Sequence, residues 1–82
     1  MKTILIDGNA YPTRQALHKA LAMMLQLPAY YGGNADALYD CLSETAQPVN
    51  VWVLSGGEGE VALALEACLQ VFADLGGVVK QL

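Results

Sequence analysis

Apolar positions follow two rhythms along the chain: short β-branched runs, and longer stretches with apolar residues three and four apart. The first run, Lys2–Ile6 (KTILI), stops at Asp7-Gly8-Asn9 and predicts a strand closed by a turn. Pro12-Thr13 then opens a helix with Thr13 as its N-cap, and Leu17, Ala20, Leu21, Met24 and Leu25 trace its apolar stripe. Met23 and Met24 read as core filler. Leu27-Pro28 ends this helix, because the residue before proline is pushed out of the α region. Gly32-Gly33 then permit a positive φ or the close approach of another backbone.

Asn34 follows the two glycines and precedes an Ala/Leu-rich run, so it predicts the N-cap of a second helix. Positions 36, 39, 40 and 43 share one face of that helix by three-and-four spacing. Leu38, Cys41, Leu42 and Thr45 share another, the one expected to be buried. Gln47-Pro48 stops the helix, with the isomer of its peptide bond left open by the sequence. Val49–Leu54 (VNVWVL) is nearly continuous in its apolarity and predicts a parallel strand with substantial burial on both faces, with Trp52 at the core or its boundary. Val61, Leu65, Cys68, Leu69, Phe72 and Leu75 give a third helix its apolar face, with Glu66, Gln70 and Asp74 opposite and Gly76-Gly77 as its stop. Val78–Leu82 (VVKQL) predicts a last strand.

Strands separated by helical crossovers imply a parallel sheet. The expected fold is α/β: one two-layer domain over residues 1–82, its three-stranded parallel sheet in order 1-2-3 and its helices packed on one face. At 82 residues and 55% apolar content there is material for a real core. Two cysteines make no disulfide framework, and the apolar run after Lys2 reaches only Ile6 before Asp7, so no secretory leader is read. The longest unbroken apolar run, Ala20–Leu25, is too short to cross a bilayer. A cytoplasmic protein with reduced thiols is expected.

Charge narrows the choice of partner. The only basic residues are Lys2, Arg14, Lys19 and Lys80, and the net charge is −4. Between Ala20 and Val79 nothing is positive, while Asp36, Asp40, Glu44, Glu58, Glu60, Glu66 and Asp74 fall within that span. Such a surface repels nucleic acid and attracts a basic protein. His18 lies beside the apolar stripe with no Cys, Asp or second His at ligand spacing, so it reads as a surface or boundary residue without metal or catalytic role. Ser55–Glu60 (SGGEGE) has the strand–glycine–helix context of a phosphate loop. It lacks the lysine of such a loop, however, and puts Glu58 and Glu60 where phosphate charge would sit. No cofactor, metal or small-molecule substrate is expected, and no Ser/His/Asp set suggests an enzyme.

The densest signal is Leu27–Thr45 (LPAYYGGNADALYDCLSET). Asp36 and Asp40 are accompanied there by Tyr30, Tyr31 and Tyr39, and tyrosine beside charge is the composition of a binding hot spot. The run LPAYYGGNADALYDCL resembles the signature of the barstar family, intracellular protein inhibitors of secreted bacterial ribonucleases. Leu17-His18 and Leu69-Gln70-Val71-Phe72 extend the likeness over most of the chain. The resemblance implies the fold given above and a basic ribonuclease as partner. It implies a contact surface of Tyr30, Gly32, Gly33, Asn34, Ala35, Asp36, Tyr39, Asp40 and Ser43, with Asp74 from the last helix at the rim. Tyr39 stands where a tryptophan occurs in the family, Ala35 is smaller than the apolar residue typical there, and no aromatic follows Ser43. The Ser55–Glu60 connection looks shortened, since the family usually carries an extra short helix at this point. An acidic interaction module with a different basic partner is the alternative reading.

Overall fold

The computed structural model describes residues 2–44 and 48–82. The expectations placed on Thr45 and on the Gln47-Pro48 bond lie outside the described residues. Strand β1 (Lys2–Asp7) runs into a short 3-10 turn (Gly8–Ala10), followed by α1 (Arg14–Leu25), α2 (Ala35–Ser43), β2 (Val49–Ser55), α3 (Gly59–Asp74) and β3 (Val79–Gln81). The 3-10 turn lies where Asp7-Gly8-Asn9 predicts a turn after the first strand. The Asp7 carboxylate starts it, accepting the Asn9 N–H at 3.0 Å.

The sheet is parallel throughout, in the order β1-β2-β3. Ile4 stands opposite Val51 and Val51 opposite Val79, so one row of side chains crosses the sheet towards the helices. Ile4, Ile6, Val49, Val51 and Val53 on that face pack with Leu17, Leu21, Leu38, Leu42, Val61, Leu65, Cys68 and Phe72 into one hydrophobic cluster. Phe72, Leu65 and Cys68 of α3 are completely enclosed, which makes α3 the helix around which the other two settle.

The opposite face of the sheet is open, against the expectation that β2 would be substantially buried on both sides. Its side chains alternate strictly in burial as far as Val53, and Leu54 is exposed. The physical reason is supply: all three helices cover the inner face, and no element among the described residues covers the outer one. Trp52 sits there half-buried, with the Lys80 ammonium 4.9 Å from the centroid of its ring.

Helices α1 and α3 both end in tight stops. At the end of α3, Gly76 adopts φ 91°, and the N–H groups of Gly76 and Gly77 return to the carbonyls of Ala73 (3.1 Å) and Phe72 (2.9 Å). Gly77 also lies so close to the Val49 carbonyl that a Cβ there would overlap it. At the end of α1 the same stop is made with Gln26 in the left-handed region (φ 54°), and Leu27 N–H donates to Ala22 at 2.9 Å. The helix therefore ends at Leu25, before the Leu27-Pro28 pair that predicted its end. Met23, expected in the core, is instead 74% exposed, while Met24 packs against the core.

Candidate functional site

The segment between α1 and α2 is folded by its own hydrogen bonds. Tyr31 N–H donates to the Pro28 carbonyl at 3.0 Å, closing a turn. Gly33 (φ 71°) then takes a conformation that side chains disfavour. Asn34 caps α2 as the sequence predicts, its side-chain oxygen accepting the Ala37 N–H at 2.8 Å. The two adjacent tyrosines separate at this turn: Tyr30 is 73% exposed, whereas Tyr31 turns inward.

Tyr31 ends on His18, with 2.6 Å between the hydroxyl and Nδ1. His18 is only 5% exposed, which corrects its reading as a surface or boundary residue. Its imidazole completes the helix surface between Arg14 and Leu21 and meets a loop thirteen residues later, a contact that no spacing in the sequence announces. The Tyr31 hydroxyl also reaches the Asn34 carbonyl at 3.5 Å. When it donates there, the Nδ1–H tautomer of His18 donates to the phenol oxygen, and the chain of bonds is complete. Burial first, and the Arg14 charge second, hold the His18 pKa below its ordinary value. Burial likewise pushes the Tyr31 hydroxyl up, with the Cys68 and Cys41 thiols adding to the effect. Both rings are neutral near pH 7, as a buried, mutually hydrogen-bonded pair should be.

The pair couples loop and fold stability to pH. Because the folded state depresses the His18 pKa below the unfolded value of 6.5, the stabilisation is present above that pH and is lost as pH falls through the folded pKa. Melting curves between pH 7.5 and 5 should therefore fall with acid, and His18→Gln should flatten that dependence. A variant with an unchanged slope would remove His18 as its source.

On α2, Asp36, Tyr39, Asp40 and Ser43 are all exposed along one stripe, and Leu38, Cys41 and Leu42 are buried beneath them, as the spacing predicts. Neither aspartate is held by a lysine or arginine among the described residues. The Ser43 hydroxyl donates back to the Asp40 carbonyl at 2.9 Å. Ala35 is half-buried against the core, and Gly32 packs tightly, since a Cβ there would come within 3.3 Å of that of Ala37. Asp74 does not belong to this stripe. It ends α3, where Gln70 donates to its carboxylate at 2.8 Å. Beneath the site, burial pushes the Cys68 thiol up to about 11 and raises that of Cys41, with Glu44 and Asp40 adding to the latter. Both sulfurs are protonated at neutral pH and poor nucleophiles. No group of His, Cys, Asp and Glu among the described residues is placed to hold a metal ion. No helix among them is long and apolar enough to cross a membrane.

Comparison with known families decides the lineage of this arrangement. The model described as Barstar (barnase inhibitor) matches residues 1–78. The chain belongs to the Barstar family. Among its curated relatives is the Bacillus subtilis (strain 168) protein named "Putative ribonuclease inhibitor YrdF", 46% identical over 43 residues. That match spans 52% of this chain and 47% of the relative, so it covers about half the length of each. Within the Barstar frame, the sequence reading found the loop and the exposed α2 stripe. It missed the His18–Tyr31 contact that props the loop from behind.

Proposed function

We propose that the chain inhibits a small basic ribonuclease by seating the Tyr30–Ser43 surface in its active-site groove, and that it does so in the cytoplasm. The observation that carries this reading is the pair Asp36 and Asp40, exposed on one helical stripe and held by no lysine or arginine among the described residues. Carboxylates left free in this way take charge-assisted hydrogen bonds from the arginine, lysine and histidine groups that bind RNA phosphates. Tyr30 and Tyr39 flank them as stiff aromatic contacts. Gly32 and Gly33 offer backbone groups. Asn34 offers its amide nitrogen, because its oxygen is taken by the cap. Ala35 and Ser43 contribute little beyond shape, one half-buried and the other with its hydroxyl donated back to its own helix. Asp74 acts at the rim, where a charge alters the rate of encounter more than the final affinity. On this reading the protein performs no chemistry of its own and needs no cofactor.

The test is cleavage of a fluorogenic RNA by a panel of small basic ribonucleases, with and without excess protein. Stoichiometric loss of cleavage for at least one enzyme, relieved by salt, is the expected result. Unchanged cleavage across the panel would favour an acidic module with another basic partner.

A further inference from the structure

Two hollows of about 580 and 320 Å³ adjoin each other beside the loop, sharing Arg14, His18 and Gly33 as a common wall; Gly32–Ala35 of the proposed inhibitory surface border them, whereas Asp36, Tyr39 and Asp40 do not. We propose that together they form a second docking surface, for an acidic polypeptide segment that carries bulky apolar side chains beside its acid. The inference does not depend on ribonuclease inhibition.

Charge points to an anionic partner. Two of the chain's four cations, Arg14 and Lys19, line the larger hollow, and no acid does. Glu60, the acid lining the smaller one, is engaged by the Arg14 backbone N–H at 3.1 Å. Arg14 is also misplaced for stability. It opens α1, whose first turn contains no acid, and a cation there opposes the helix dipole.

Shape and apolarity point to a polypeptide. Met23 at one end of the trough and Leu63 at the other are 74% and 72% exposed, and neither belongs to a core stripe. Between them, Leu27 and Pro28 border the larger hollow, and Ala64 and Ala67 the smaller. The larger hollow alone has the volume of a small-molecule pocket. The second hollow and the two protruding apolar ends extend it into an open trough, which suits an extended chain with alternating anchors.

The test titrates the ¹⁵N-labelled full chain with acetyl-LEDLF-amide. Acetyl-LKKLF-amide, acetyl-SEDSS-amide, inorganic phosphate and phenylacetate serve as separate arms. Saturable shifts of the Arg14, Gln15, Met23, Gly33 and Leu63 amides are expected with LEDLF, at lower concentration than in any other arm. The double variant Arg14→Glu/Lys19→Glu should weaken that binding about tenfold or more, and Leu63→Ser should weaken it independently. Both variants replace exposed side chains, and a dispersed spectrum confirms that each is folded. No saturable shift, equal binding of the basic peptide, or shifts centred on α2 would overturn the proposal. Phosphate or phenylacetate matching the peptide's affinity would overturn it in favour of a small-anion site.

Discussion

Asp40→Ala is expected to weaken inhibition of the target ribonuclease about 30-fold or more while leaving the melting temperature unchanged or slightly higher. The loss corresponds to about 2 kcal/mol, the general threshold for an interfacial hot spot rather than a value taken from any measured barstar complex. It is large because a partner's cations, desolvated around a missing carboxylate, would be left unpaired. Stability moves the other way for local reasons. Among the described residues Asp40 has no cation to lose, and it stands four residues from Asp36, a like-charge spacing that destabilises a helix by a few tenths of a kcal/mol. Alanine is also the better helix former. Asp36→Ala should behave differently, since that residue lies in the first turn of α2 and favours the helix through its dipole. Inhibition constants and melting curves for both single variants separate binding from folding. Wild-type inhibition by the Asp40 variant would remove that residue from the proposed surface.

Gly77→Ala is expected to destabilise the fold by about 3 kcal/mol or more, the upper range for overpacking. The added Cβ would overlap the Val49 carbonyl and crowd that of Phe72, both backbone atoms that cannot rotate aside. Val49 begins β2 and Phe72 is among the most deeply buried residues, so any relief would move the strand that organises the sheet. For a chain of this size, 3 kcal/mol lowers the melting temperature on the order of 10–20 °C. Gly33→Ala supplies the contrast. Its Cβ would meet nothing within 4 Å, and only the positive φ disfavours it, at a cost of about 1 kcal/mol. Comparable melting of the two alanine variants would show that space at Gly77 is not what the fold requires.

Much of this architecture was legible from spacing because local rules and tertiary structure agree along most of the chain. Thr13 and Asn34 cap α1 and α2 as their side chains predict. The apolar stripes of α2 and α3 are buried where the period places them. Reading failed where one segment's environment is set by another distant in sequence. His18 looked peripheral because its partner lies on a loop, and helical period says nothing about loops. VNVWVL looked doubly buried because apolarity records what a strand tolerates, not whether a second layer exists to cover it. Gln26 gave no sign of its left-handed conformation, since glycine is the usual mark of that stop. Met23 was assigned to the core on residue type alone, although it lies off the stripe traced by its neighbours. At the site, the α2 stripe and the Asn34 cap were readable, but the return of the Ser43 hydroxyl to its own helix and the partial burial of Ala35 needed coordinates.

The position of Trp52 has a practical corollary for solution work. It is the chain's sole indole, located on the uncovered side of the sheet under the Lys80 ammonium, with the helical layer between it and the α2 stripe. Its intrinsic emission will report denaturation faithfully and remain silent when a ligand settles on α2. Titrations followed by selectively excited tryptophan emission would then record no event, and Tyr30 and Tyr39 or a dye placed at the loop become the appropriate reporters.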